Sequence, residues 1–159
     1  MFRAIVVAGL LASAGFTASA QTIERLADSG VIRLGVREDA RPLSWLRDGE
    51  PVGYAVDLCL GVMDHFEKMI GPMSPRFVAV TAENRFDMLA EGEIDMLRGA
   101  ASMTLARRAI VDFSIPIYID GASVLMRRDA ETDFAGLAGK TIAVRAGTTT
   151  AAALDTTLA

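Results

Sequence analysis

Between residues 31 and 97 short apolar runs and amphipathic stretches take turns, and that alternation limits the chain to few folds. Residues 22–29 read as a short helix closed by Gly30, and residues 31–36 (VIRLGV) as a buried strand. Residues 54–70 carry Ala55, Cys59, Val62, Met63, Phe66, Met69 and Ile70 at helical spacing. Asp57, Asp64, Glu67 and Lys68 lie largely elsewhere around that helix, and Gly71, Pro72 and Pro75 stop it. Residues 76–80 read as a second strand, 84–91 as a short helix and 94–97 as a third strand. Strand, helix, strand, helix, strand predicts parallel pairing with right-handed crossovers, hence an α/β lobe whose open parallel sheet has helices on both faces. Between the first strand and the long helix, residues 37–51 read as a polar loop with an Asp48-Gly49 turn.

Ligands of open parallel sheets sit at the carboxyl ends of the strands. Arg37, residues 82–85 and residues 99–107 all follow strand ends, so polar groups converge there. Gly99, Ala100 and Ala101 leave main-chain groups uncovered, Ser102 offers a hydroxyl, and Thr104 caps a short helix that carries Arg107. These are the parts of a carboxylate clamp, in which a guanidinium grips both oxygens and nearby amides complete the shell. On residue types alone an ordinary capped surface helix is the simpler account, and Arg37 and Arg85 are equally well explained by solvent exposure. Trp45 suits either an apolar core or a cleft wall. Gly147-Thr148-Thr149 stands between a predicted strand (141–144) and a predicted helix (149–158), where it fits a helix cap as well as an anion nest.

Composition narrows the function classes. Residues 1–20 have the form of an export leader: Arg3 as the cationic start, an apolar run over 4–16, and Ala18-Ser19-Ala20 as the cleavage site before Gln21. Thirteen apolar-leaning residues are too few to span a bilayer. Removing the leader leaves 15 basic and 20 acidic residues, a balance that disfavours nucleic-acid binding. Cys59 is the only cysteine, so no internal disulfide is expected; its helix position suits a buried thiol. His65, the only histidine, gives a catalytic triad or histidine metal site nothing to build on and is expected on the helix surface. Gly139-Lys140-Thr141 ends like a phosphate-binding loop, but Phe134 stands where the first glycine is required, and the motif is rejected. Residues 117–127 read as a long strand interrupted by Gly121, and residues 133–137 as a short turn.

Residues 98–118 resemble the signature of the periplasmic solute-binding proteins of amino-acid ABC importers (family 3). That signature is a hydroxyl residue after a strand-ending loop, an arginine five positions on, then F-S-x-P and a large apolar residue; here Ser102, Arg107 and Phe113-Ser114-Ile115-Pro116-Ile117. In order along the chain, VIRLGV (31–36), Pro42 before an aromatic, VGYAVDL (52–58), NRFDML (84–89), EGEID (91–95) and AGTT (146–149) also fit, so the likeness runs from Ile23 to the last residue. The resemblance implies a type II periplasmic binding fold: a first lobe over residues 21–120, then the hinge crossing and only the start of a second lobe over 121–159. By this likeness the sequence is a fragment, expected to bind its ligand poorly alone.

Several roles are implied by the resemblance alone. Arg37 and Arg85 match arginines that reach the side-chain carboxylate in glutamate and aspartate binders. Ser102 and Arg107 would hold the α-carboxylate, the Ala100 carbonyl the ammonium group, Trp45 would line the cleft, and Thr148 and Thr149 would touch the ligand from the second lobe. Ala82 and Ala100 stand where the acidic-ligand binders offer serines, and Arg98 adds another cation near the loop. The implied function is binding of a polar or acidic L-amino acid by a monomeric periplasmic protein that docks transiently on a membrane permease, with no cofactor, metal or catalysis. Two alternatives share the scaffold: a periplasmic dehydratase of the prephenate or arogenate type, with Glu38, Asp39 or Glu83 as proton donor, and the ligand-sensing lobe of a larger receptor or cell-wall lytic enzyme.

Overall fold

A computed structural model describes residues 18–130 and 135–158 of the chain. The leader expected over residues 1–20 lies outside the described residues except for its last three, which open α1 (Ala18–Ser29). In chain order there follow β1 (Val31–Val36), β2 (Asp39–Ala40), β3 (Ser44–Arg47), β4 (Glu50–Val52), α2 (Tyr54–Ile70) and β5 (Ser74–Ala79). Then come α3 (Arg85–Ala90), β6 (Met96–Arg98), α4 (Leu105–Arg108), a 3-10 turn (Ala135–Leu137) and α5 (Thr149–Leu158).

The alternation produces the sheet that it predicts. β1 lies between β5 and β6 and pairs in parallel with both, Leu34 standing opposite Phe77 on one side and Met96 on the other. Successive residues of β1 face opposite ways. Ile32 and Leu34 join Leu26 of α1, Met63 of α2 and Met73 in one buried cluster, flanked by Leu60, Phe66, Ile70 and Met96. Each such side chain contributes about 1.5–3 kcal/mol by leaving water. Of the stripe read along α2, Val62 and Met69 remain exposed. Cys59 is partly buried, and burial pushes its thiol pKa up to about 11, as suits an unreactive thiol. His65 is on the exposed face, as expected.

On the opposite face of β1 a Cβ at Gly35 would come within 2.5 Å of Ile94 Cδ1, so the glycine lets the segment after α3 close over the sheet. Beside it Asp95 fastens three elements. Its carboxylate accepts from the Arg33 backbone N–H (2.7 Å), Arg33 Nε (3.1 Å) and Nη2 (2.7 Å), and pairs with Arg25 of α1. Burial works against the Asp95 charge, but the Arg33 hydrogen bonds and the charges of Arg25 and Arg33 outweigh it and hold the carboxyl below its ordinary value.

Three expectations are corrected. Residues 37–51 are not a plain loop: β2, β3 and β4 form an antiparallel meander. Asp48 (φ 54°) and Gly49 (φ 85°) make the two-residue turn between Arg47 and Glu50, the left-handed geometry that suits a hairpin. Strands of two to four residues are too short for apolar periodicity to register. Residues 117–127 and 141–144 are not strands, and Thr141 therefore opens none. A strand exists only against a hydrogen-bonding neighbour. The turn expected over 133–137 falls partly outside the described residues; its described portion is the 3-10 turn.

Candidate functional site

The parallel sheet aims three connections the same way: Arg37 directly follows β1, Ala82 to Arg85 follow β5, and the loop carrying Ser102 and Arg107 follows β6. Thr104 caps α4 as its sequence suggests, accepting the Arg107 backbone N–H at 3.2 Å. The cap sets the direction of the Arg107 side chain, whose Nη1 donates to the Ser102 carbonyl (2.9 Å) and Nη2 to the Gly147 carbonyl (3.3 Å). Arg85 converges on the same oxygen. Its Nη2 donates to the Gly147 carbonyl at 3.3 Å and its Nη1 to the Ala82 carbonyl. Both guanidiniums lie over the Phe86 ring, at 4.8 Å for Arg85 and 4.6 Å for Arg107. Arg85 is only 2% exposed, and its Nε has no hydrogen-bond partner among the described residues. Burial, then the nearby charges of Arg107 and Arg37, push the Arg85 pKa down to about 10. Burial lowers that of Arg107 as well.

Gly147 can be approached so closely because it is glycine. Its φ is +67°, and a Cβ there would stand 2.8 Å from the Ala82 carbonyl oxygen.

Arg37, 5% exposed, turns to a neighbour that sequence reasoning treated only as a possible proton donor. Its Nε and Nη2 lie 2.8 and 2.7 Å from one oxygen of Asp39, and Arg145 pairs with the other oxygen. Burial opposes the Asp39 charge, but the hydrogen bond from Arg37 and the charges of Arg37 and Arg145 prevail and hold the carboxyl below its ordinary value. Side chains at i and i+2 of an extended chain share a face, so R-E-D after a strand carried the signal for this pair. Arg145 and Phe86 left no comparable trace.

The remaining candidates divide. Ser102 Oγ and Thr149 Oγ1 are 3.0 Å apart, joining the loop after β6 to the start of α5. Thr148 caps α5: its hydroxyl donates to the Arg145 carbonyl (2.7 Å) and accepts the Ala151 N–H (3.4 Å). Ala100 is exposed on the loop between β6 and α4. Trp45 stands on β3 opposite Asp39, with the guanidiniums of Arg41 and Arg47 5.3 and 5.7 Å from its ring centre. The Arg98 side chain turns away from the loop that it directly precedes, so it adds no cation there. It is buried beneath the first turn of α2, donating to the Val56 carbonyl (3.1 Å) over the Phe77 ring, because β6 alternation sends it to the same face as Met96.

Arg37, Arg85, Arg107 and Arg145 thus gather around one carboxylate and one carbonyl oxygen, with an aromatic floor. An open cavity of about 250 Å³, lined by Glu38, Asp39, Ala79, Val80, Thr81 and Arg145, adjoins them. Such a centre suits an anion with planar oxygens, which guanidiniums pair bidentately. Among the described residues no three histidine, cysteine, aspartate or glutamate side chains are grouped to hold a metal, and no helix is long and apolar enough to cross a membrane.

The chain is 32% identical over 133 residues to an L-glutamate/L-aspartate-binding protein of Pseudomonas aeruginosa, covering 80% of this chain and 44% of that protein. It is 28% identical over 138 residues to a cyclohexadienyl dehydratase of the same organism, covering 84% of this chain and 48% of the enzyme. The chain therefore spans about half the length of these curated relatives. Among solved structures, the cysteine-binding protein of Campylobacter jejuni superimposes with a TM-score of 0.52 at 27% identity, over 60% of this chain and 38% of that one. The family profile of bacterial extracellular solute-binding proteins, family 3, matches residues 32–159, and the chain belongs to that family.

Proposed function

We propose that the whole protein is the periplasmic solute-binding component of an amino-acid ABC importer, and that it binds a polar or acidic L-amino acid without turning it over. One observation carries this reading: Arg85 and Arg107 both donate to a single carbonyl oxygen over the Phe86 ring, a cationic centre that a ligand carboxylate would fill with better charge complementarity than a backbone carbonyl. Ser102 and Arg107 would take the α-carboxylate, Arg37 and Arg85 the side chain, and the Ala100 carbonyl the ammonium group. Thr148 and Thr149 would close from the other side, with Trp45 at the rim. Residues 21–120 would form the first lobe and 121–159 the crossing and start of the second. Closure of two lobes around the ligand would present the form that a permease recognises.

A dehydratase is also among the relatives, which raises a second reading, an enzyme on the same scaffold. Its proton donor would have to be protonated near neutral pH. Asp39 is held below its ordinary value by its guanidiniums, and hydrogen bonding with Thr81 lowers Glu83 as well, so both are poor acids there. Titration of the full natural chain with L-glutamate, L-aspartate, L-glutamine and L-asparagine separates the two. A binder gives saturable heat and unchanged ligand. Consumption of prephenate or arogenate by the purified protein would favour the enzyme. Arg37→Ala should weaken the acids far more than their amides, and equal losses for all four would remove Arg37 from side-chain recognition.

A further inference from the structure

The cationic centre contains its own carboxylate. The Nε and Nη2 edge of Arg37, the edge suited to bidentate pairing, is already taken up by Asp39 Oδ1 at 2.8 and 2.7 Å. The second oxygen of Asp39 is held by Arg145, so the side chain is fixed from two sides although it is 38% exposed. A ligand side-chain carboxylate approaching Arg37 must displace Asp39 or lie beside a like charge, and either costs affinity. A side-chain amide meets a different surface. Its NH2 can donate to Asp39, while its carbonyl oxygen can accept from a guanidinium such as that of Arg85, whose buried Nε has no partner among the described residues.

We propose that Asp39 is a specificity-determining residue: an internal carboxylate that competes with an acidic ligand for Arg37 and so sets the preference between acidic amino acids and their amides. The proposal rests on the reading of this cleft as an amino-acid site. It differs from a specificity set by the arginines alone, because the same arginines rank the ligands differently once Asp39 loses its charge. Arg145 acts through Asp39 by neutralising its outer oxygen.

The test is calorimetry on the full natural chain with L-glutamate, L-glutamine, L-aspartate and L-asparagine as the titrants. Asp39→Asn and Asp39→Ala should each raise the affinity ratio of acid to amide about tenfold or more, chiefly through tighter acid binding. Arg145→Gln should move the ratio the other way by several fold, since Asp39 then meets the ligand less neutralised; this variant also decides the matter if neither Asp39 variant folds. A ratio unchanged in the folded variants overturns the role of Asp39 while leaving the amino-acid site intact. Absence of binding by the wild type to all four ligands would instead overturn the site itself, and the proposal with it.

Discussion

Residues 31–98 and residues 115–144 both contain apolar β-formers, yet they end in opposite environments. In the first stretch Leu34 is fully buried, with a parallel neighbour on either side and helices α1 and α2 against its face. In the second, Ile119 and Leu125 are 93% and 99% exposed, and no strand forms among the described residues. Among the described residues, polar and aromatic contacts tie residues 115–149 to the first region. Tyr54 Oη donates to the Ile117 carbonyl at 3.1 Å, the Tyr54 and Tyr118 rings lie 6.4 Å apart, and the Arg145 to Thr149 loop is held by Asp39, Arg85, Ser102 and Arg107. β-Propensity becomes a strand only where a neighbour completes the ladder, whereas a polar loop needs only matching donors and acceptors.

The largest expected contrast tests this directly. Leu34→Ala should cost about 2–5 kcal/mol in urea unfolding, because it opens a cavity between β1 and the helices. Leu125→Ala should stay within about 0.5 kcal/mol. A comparable loss at Leu125 would mean that the second region buries it in solution.

Next in size is the Asp95 fastening. Asp95→Asn should lower stability by about 1–3 kcal/mol, since it weakens charge-assisted bonds to Arg33 and Arg25 at a buried position. Because the folded carboxyl is held below its ordinary value, the unfolded chain binds the proton first. The Asp95 contribution is therefore complete above about pH 4, where the unfolded carboxyl ionises, and is lost as pH falls through the folded value. Stability curves against pH should show a shallower acid limb for Asp95→Asn. Parallel acid limbs in variant and wild type would assign acid sensitivity elsewhere.

Smaller, and confined to local stability, is the effect of Gly147→Ala, about 1 kcal/mol, which combines an unfavourable left-handed φ with a collision against the Ala82 carbonyl. Amide exchange should quicken around residues 145–149 and remain unchanged in β1. Faster exchange in β1 would show that the two regions are coupled more tightly than their contacts imply.

The boundaries explain what could be seen in advance. β1 and α2 were legible to the residue because each carries a complete apolar pattern with a glycine marking one end, Gly30 just before β1 and Gly71 just after α2. The meander was not, since its strands hold too few residues for a period, although Asp48-Gly49 marked its turn. Of the site, Arg37, Arg85, Ser102 and Arg107 could be grouped because each follows a strand end, whereas Thr149 joined them only through the family resemblance. The ion pairs of Asp39 could not be weighed from sequence, because Arg145 is brought to it only by the folding back of a distant loop. Arg98 was misplaced for a related reason: its position near the loop was visible, but its side depended on the register of β6 with β1.

The most direct test of the cationic centre is calorimetric titration of the full natural chain with L-glutamate, wild type beside Arg107→Ala. If Arg107 grips the α-carboxylate in an enclosed cleft, its loss should cost more than about 2 kcal/mol, a thirtyfold or greater rise in Kd, because the carboxylate is left unpaired. Equal affinity in the two proteins would contradict the account and return Arg107 to the role of a surface residue on a capped helix.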